Sequence, residues 1–327
     1  SLANPKVWLA AAGQIFFTLS VGMGTIQCYA SYIRSKDDIA LNAMSAGWMN
    51  EFVEVVLGSS VLIPIAVGYL GVEKVQELVQ LGGLGLGFKT MPFLFQQWGE
   101  ILSIVAGVAF FGLLFFAGVT SSLAMGTPWM GFMRDEFNWR RETAAWSFGA
   151  IVLALGLPTV FFFNYGVFDE YDYWAGTVSL VVFALAETIL FAWVFGIEKG
   201  WKEINDGAEI KVPYFYKYII KYVTPTLLIF VFVGSLLNPT GGDWVAAVKG
   251  LSNGEGWNLD NGSIIAQIAN KGINEEIAAA TDPAIIEELT TKKLYVNASR
   301  LLLLSVFAGT SYLVYIAYRR RKRDGTL

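Results

Sequence analysis

The sequence contains no histidine and one cysteine, Cys28, in 327 residues. Without histidine there is no Ser-His-Asp triad, no Cys-His dyad and no imidazole ligand for zinc, and one cysteine makes no internal disulfide. No other nucleophile-base pair stands out, which argues against conventional hydrolytic or metal chemistry, and the chain is not read as an enzyme. Charge is scarce too. Only 15% of the residues are Asp, Glu, Lys or Arg, where a soluble globular domain has roughly 25%, and 55% are hydrophobic. That balance is the composition of a polytopic membrane protein in contact with a lipid bilayer, and no nucleic-acid partner is expected. Low-complexity segments and short-period repeats are also missing.

What is present is a series of long apolar runs. Counting stretches of about 20 residues, the length that crosses roughly 30 Å of hydrocarbon, gives candidates at 7–33, 47–70, 102–132, 144–164, 173–196, 214–237 and 297–318. The prediction is an all-α polytopic membrane protein with about seven transmembrane helices. The last run stops at "YRRRKR", Tyr318 to Arg323, which places the C-terminus in the cytoplasm by the positive-inside rule. Alternate loops then fall inside, and all are basic: Arg34 with Lys36, Arg134 with Arg140 and Arg141, and Lys199 with Lys202. "FDEYDYW", Phe168 to Trp174, carries acids only and falls outside.

An odd number of crossings puts Ser1 outside, with no signal peptide before it and no initiating Met. The expectation is that sequence is missing upstream. Two outer segments are not crossings. Residues 72–98 are predicted to form a short amphipathic helix, a glycine-rich turn and a second short helix; the Gly82 to Gly87 run lacks the Gly-Lys-Ser/Thr ending of a phosphate loop. The stretch from Pro239 to Arg300 is polar, with helical patterns near 262–270 and 283–293, and reads as a small outer cap.

Polar groups recur at one depth. With about 1.5 Å of rise per helical residue, Thr18 lies some 16 Å into the first run, beside Ser20, Gly22 and Gly24. Asn50 and Glu54, four apart on one helix face, reach a similar depth in the second run, and Ala117, Thr120 and Ser121 fall near the centre of the third. Taken singly, a serine or threonine here often bonds back to its own helix, and small residues often serve close packing. A carboxylate such as Glu54 is harder to place without a partner or an ion, since a charge at mid-bilayer costs at least about 2.5–3.5 kcal/mol. Hard cations such as sodium take oxygen ligands. A helix supplies spare carbonyls only where its ladder is interrupted, and irregular backbone at this depth is tolerated only where it lines a cavity. The first run is therefore predicted to be broken near Thr18 to Gly24, with its unwound carbonyls binding cation and substrate. Glu187, in "ALAETILF", is a further intramembrane acid, read as a hydrogen-bonding group within the bundle.

Four motifs in register, "AAGQIFFTLSVGMGTIQCYASYIR", "NEFVEVVLG", "FFAGVTSS" and "DEYDYWAGT", resemble the neurotransmitter:sodium symporter family, close to its bacterial amino-acid transporters of the LeuT fold. The resemblance covers the family's sixth to twelfth transmembrane helices. It implies the second inverted repeat over 1–196, including an outer re-entrant-like loop at 72–98, an inner loop and the eleventh helix over 197–238, an extended outer loop at 239–296, and the twelfth helix with a basic tail over 297–327. The first repeat of five helices would be absent and would be this chain's partner.

The same resemblance implies the site. A first sodium would use Thr18 and Asn50, completed by the substrate carboxylate and the missing first helix. A second would use the Ala117 carbonyl and the hydroxyls of Thr120 and Ser121, so that both Na+ sites are incomplete in this chain. Phe17, Thr18, Ser20, Met23, Ser121 and Met125 would line the pocket for an amino-acid substrate, with Phe17 as its lid. Glu54 takes the place of chloride, so no chloride is expected, and it carries the charge or a proton instead. Asp172 would serve the outer gate and Asp135 the inner one, supported by Gln14 and Tyr32. Methionine adapts to irregular shapes, so Met23 and Met125 point to a large or varied apolar side chain. The leading reading is sodium-coupled symport of an apolar L-amino acid by alternating access, in an integral protein of the bacterial inner membrane. The alternative is a truncated, non-transporting membrane protein or half-transporter scaffold needing a partner subunit. A channel is disfavoured because no charged ring or filter-like loop recurs.

Overall fold

A computed structural model describes residues 4–34, 36–79 and 82–326. Their regular structure is helical, and among the described residues the extended pairing is limited to one antiparallel bridge, Pro239 with Leu259. In chain order the principal helices are α1 (Pro5–Thr18), α2 (Thr25–Ala30), α3 (Ile39–Leu70), α4 (Val72–Val79), α5 (Met91–Gln96), α6 (Glu100–Phe137), α7 (Arg141–Phe161), α8 (Val167–Asn205), α9 (Phe215–Leu237), α10 (Trp244–Ser252), α11 (Ile264–Ile268), α12 (Lys271–Ala279) and α13 (Pro283–Asp324). Six of them, α3, α6, α7, α8, α9 and α13, are long and apolar enough to cross a membrane. The protein is therefore an all-α polytopic membrane protein. The remaining expected crossing, 7–33, is not one helix but the pair α1 and α2 with an irregular stretch between them.

Several helix ends differ from the sequence expectation: α3 begins at Ile39 rather than 47, and α8 covers Val167–Asn205 rather than 173–196. The last helix does not begin near 297: it starts at Pro283, where the Asp282 side chain accepts the Ala284 N–H at 2.9 Å and proline occupies the first turn. An Asp-Pro pair is a strong helix start, because the carboxylate satisfies an orphan donor and proline needs none. The helical pattern near 283–293 is thus the first part of α13. Between α4 and α5, the glycine run expected as a plain turn includes a helical turn, Gly82–Gly85, followed by a wider π-helical turn, Leu86–Thr90. The Thr90 hydroxyl, buried, donates to the Gly85 carbonyl. Residues 80 and 81 of that segment lie outside the described residues.

The chain divides into two compact units, Ser1–Asp37 with Pro128–Leu327, and Asp38–Thr127. In the first, Leu9 of α1, Val178 and Val181 of α8, Leu228 and Val231 of α9 and Ile264 of α11 form one buried cluster. Small residues bring the backbones together there. A Cβ on Gly13 of α1 would meet Thr177 at 3.0 Å, and one on Gly234 of α9 would meet Pro5 at 3.0 Å. Tyr295 of α13 stacks on Phe162 and Tyr165, after the end of α7, at 4.4 and 4.7 Å.

The second unit holds α3, α4, α5 and α6 as far as Thr127. Leu94 and Phe95 of α5 are buried, and Phe95 packs edge-on against Phe110 of α6 at 5.6 Å. Otherwise its long helices are apolar and exposed, with Val53, Val105, Val108 and Phe115 all half or more accessible. A helix that is hydrophobic all round needs lipid or protein on every side.

Candidate functional site

The site begins with how α1 ends. Ser20 takes a left-handed φ of 56°. Its N–H donates to the Phe17 carbonyl at 3.1 Å, while the Val21 N–H reaches back to the Phe16 carbonyl at 2.8 Å. This pair of bonds is the Schellman closure of a helix C-terminus, in which the left-handed residue is usually glycine because a Cβ is disfavoured there. Gly22 and Gly24 follow with φ of 79° and 75°, and the helix resumes at Thr25. The helix expected to break near Thr18 to Gly24 does so, ending at Thr18 and resuming at Thr25.

Gly22 shows what holds the break. Its N–H would continue the α-helical ladder, but it donates instead to the Glu187 carboxylate of α8 at 3.1 Å. A side chain at Gly22 has no room, since a Cβ would stand 2.9 Å from the Leu180 carbonyl and 3.2 Å from the Ala184 N. Both obstacles are backbone atoms of α8, so neither can swing aside. The bonding role read for Glu187 is what the structure shows, and the residue it serves is the irregular stretch itself. Leaving a buried N–H without an acceptor costs about 1–3 kcal/mol, which is the physical reason for an acid at this depth.

Around the break, the Thr18 hydroxyl donates to the Ile15 carbonyl at 3.2 Å. Phe17 is 46% exposed, Ser20 and Met23 are half-buried, and Gln14 is exposed. Tyr32 lies beyond α2 with its ring 6.4 Å from that of Tyr29. The Thr25 hydroxyl is buried without a hydrogen-bond partner among the described residues.

Asp172 and Asp135 also belong to the first unit, and both are exposed. Asp172 opens a π-helical stretch of α8, Asp172–Val178. Two residues earlier, Glu170 is engaged by Arg300 of α13 through two bonds, Nε to Oε2 at 2.6 Å and Nη2 to Oε1 at 2.9 Å. Beside Asp135, Glu136 pairs with Arg321 at the basic end of α13, and Arg320 donates to the Glu136 carbonyl at 3.1 Å. Neither acid was singled out in the sequence. Arginines 130 and 185 positions away carry no local signal of where they will fold.

In the second unit, the Asn50 amide nitrogen donates to the Glu54 carboxylate at 3.4 Å, so the two residues predicted to share a helix face do meet. They flank the point where α3 widens into a π-helical stretch, Phe52–Leu62. On α6 the Thr120 hydroxyl donates to the carbonyls of Phe116 at 2.9 Å and Ala117 at 3.1 Å. Ala117, Thr120 and Ser121 thus present a carbonyl and two hydroxyls within one and a third turns, all exposed, and Met125 follows one turn on at 40% exposure. An amide, hydroxyls and carbonyls are donors suited to a hard monovalent cation. Among the described residues no cluster of three or more acidic or cysteine side chains would hold a metal ion.

The chain is similar to known sodium-dependent transporters. The model of the sodium:neurotransmitter symporter family matches residues 1–250. An uncharacterized sodium-dependent transporter of Methanocaldococcus jannaschii is 31% identical over 236 residues, which is 70% of this chain and 46% of the relative. The sodium-dependent nutrient amino acid transporter 1 of Drosophila grimshawi is 25% identical over 241 residues, 73% of this chain and 38% of the relative. Its Drosophila melanogaster counterpart is 25% identical over 239 residues, 72% and 37% respectively. The chain thus spans less than half the length of these curated relatives. Asp260, Ile264 and Arg300 lie beyond the residues the family model matches.

Proposed function

Because the chain belongs to the sodium:neurotransmitter symporter family, we propose that it is the C-terminal part of a sodium-coupled symporter for an apolar L-amino acid, matching the family's sixth to twelfth transmembrane helices. The observation that carries this reading is the break between α1 and α2. A membrane helix is interrupted by three residues at positive φ and stabilised there by a carboxylate from α8. Backbone of that kind within a bilayer lines a cavity and serves ions or polar substrate groups.

In this reading Thr18 and Asn50 bind one sodium, and Ala117, Thr120 and Ser121 bind a second. Phe17, Thr18, Ser20, Met23, Ser121 and Met125 line the amino-acid pocket. Asp172 and Asp135, with Gln14 and Tyr32, belong to its outer and inner gates. The Asn50–Glu54 hydrogen bond supports two further assignments. It orients the amide with its nitrogen toward Glu54, and it keeps beside the sodium ligand an acid that makes chloride unnecessary. The C-terminus is cytoplasmic, with Arg319 to Arg323 at the inner surface of the plasma membrane. An N-terminal five-helix repeat completes both sodium sites, and alternating access follows from one helix bundle rocking about the midplane site.

Coupling is then thermodynamic. Sodium and substrate share a ligand, the substrate carboxylate, so each must raise the other's affinity by the same factor. The test is uptake of leucine, methionine and phenylalanine into proteoliposomes carrying the full-length transporter, driven by a sodium gradient. Asn50→Ala is expected to raise the sodium half-saturation and the amino-acid KM together. Uptake indifferent to sodium, or unchanged sodium dependence in Asn50→Ala, would overturn the assignment. The nutrient amino acid relatives support the substrate class.

A further inference from the structure

We infer that the cap between α9 and α13, residues 239–282, is a strut that positions α1, the first half of the broken helix, against α8, with Lys6, Asp260, Glu170 and Arg300 as its positioning residues. The inference rests on the transport reading above, because α1 carries Phe17 and Thr18.

Three attachments lie in the first unit. The first is ionic: Lys6, in the first turn of α1, pairs with Asp260 of the cap. Asp260 is held from its own side by the Gly262 N–H at 2.9 Å, and its backbone N–H donates to the Asn238 carbonyl at 2.8 Å, just after α9. A Cβ at Gly262 would displace the flexible end of the Lys6 side chain from this seat.

The second attachment is apolar. Ile264 of α11 is 3% exposed and sits in the cluster with Leu9 of α1, Val178 and Val181 of α8, and Leu228 and Val231 of α9. A residue from a polar connecting segment thereby joins the packing between α1 and α8. Ser263 before it is fully buried, and its hydroxyl accepts the Ala266 N–H at 3.2 Å to start α11.

The third is a buried fork. While Arg300 grips Glu170 with Nε and Nη2, its Nη1 donates to the Gln267 carbonyl at 2.6 Å and to Asn270 Oδ1 at 2.8 Å, both at the junction of α11 and α12. The Arg300 and Glu170 side chains are 13% and 12% exposed. Trp174 Nε1 donates to the same Glu170 oxygen at 2.7 Å, and the guanidinium lies 5.6 Å from the Trp174 ring centre. Planar bidentate pairing of this kind fixes geometry as well as charge.

The cap therefore grips α1 at Lys6 and, through Arg300, the end of α8 that carries Asp172. A helix as short as α1, followed by three positive-φ residues, has a hinge at its C-terminal end. Its N-terminal end is restrained at Lys6, with the Ser235 hydroxyl donating to the Pro5 carbonyl at 3.4 Å. Releasing the strut lowers the fraction of molecules with α1 seated for binding, and apparent affinity falls by that fraction.

The test combines amide hydrogen exchange of α1 with uptake kinetics in the full-length transporter. Asp260→Asn and Gly262→Ala are expected to speed exchange across Leu9–Phe17 and to raise the amino-acid KM about fivefold with maximal rate within about twofold. The swap Lys6→Glu with Asp260→Lys restores the ion pair but not the acceptor for the Gly262 N–H, and is expected to recover part of both. Glu170→Gln, which keeps the shape of the fork, gives an independent second variant with the same direction. Unchanged α1 exchange and KM in Asp260→Asn and Glu170→Gln would overturn the strut, as would a swap that rescues protein yield but not KM. If wild-type protein takes up no amino acid, the transport reading fails, and the exchange experiment alone still decides whether the cap holds α1.

Discussion

Two stretches of this chain look alike on paper and behave oppositely. "FFTLSVGMG", Phe16 to Gly24, and "FFAGVTSSLAMG", Phe115 to Gly126, each open on paired phenylalanines, close on Met-Gly and hold hydroxyl residues between. The first unwinds and the second stays helical throughout. In α6 the Thr120 hydroxyl folds back onto its own turn, and Gly118 keeps a helical φ with nothing near it. In the first stretch, Ser20, Gly22 and Gly24 all sit at positive φ, and α8 supplies both the surface that excludes a side chain at Gly22 and the carboxylate that takes its N–H. Hydroxyls and a glycine do not by themselves open a membrane helix. A neighbouring helix must accept the freed amide.

That contrast can be broken most sharply at Gly22. Gly22→Ala puts a Cβ in a left-handed conformation and against the Leu180 carbonyl at 2.9 Å. Together these are expected to cost about 2–5 kcal/mol, read as a lowered midpoint of thermal unfolding in detergent. The equivalent change at Gly118 meets nothing within 4 Å and is expected to be neutral or slightly stabilising. Next in size is Glu187. Glu187→Ala should destabilise by about 1–3 kcal/mol by orphaning the Gly22 N–H, and Glu187→Gln, which keeps an acceptor oxygen, should recover most of the loss. Ser20→Gly is expected to act in the opposite direction, stabilising by up to about 1 kcal/mol as the left-handed strain is relieved. Thr120→Val should change stability by under about 0.5 kcal/mol, since its hydroxyl only doubles bonds the helix already makes, yet on the proposed assignment it weakens sodium dependence.

The smallest expected effect is that of pH on the cap. Burial alone would raise the Asp260 carboxyl, but bonds from Lys6 and the Gly262 N–H, with the charges of Lys6 and Lys271, outweigh it and hold the group below its ordinary value of 3.8. A carboxyl depressed in the folded state contributes stability above its unfolded pKa, and that contribution is lost as pH falls through the folded value. Cap docking, followed by exchange of α11 and α12, is therefore expected to be flat from pH 8 to pH 5, within the range where about all of this contribution is retained, and to weaken only below about pH 4.

Much of this was readable before folding. Long apolar runs announce crossings because that signal is local, whereas the glycines beside Thr18 and Ser20 mark only a candidate break, since a similar set in α6 stays helical. Asn50 and Glu54 meet as helical spacing requires. What escaped the sequence is what depends on long-range contact. Glu187 was visible as an acid in the wrong solvent, but not the amide it serves 165 positions away. Arg300 and Glu170 are a lone arginine and one acid among several in "FDEYDYW" until the chain is folded. The start of α13 was missed for another reason: the helical pattern near 283–293 lies in a polar segment and was assigned to the outer cap, yet Asp282 and Pro283 begin a helix that runs without interruption to Asp324.

The central claim is that the break between α1 and α2 is where sodium and substrate meet backbone oxygens. Amide exchange across Phe16–Gly24 in the full-length transporter, compared between sodium and potassium at equal ionic strength, tests it most directly. The account predicts slower exchange of this stretch in sodium, slower still when a transported amino acid is added, with the Gly118–Ser122 amides of the unbroken α6 slow in every condition. Identical exchange of Phe16–Gly24 in sodium and in potassium, with and without amino acid, would contradict it.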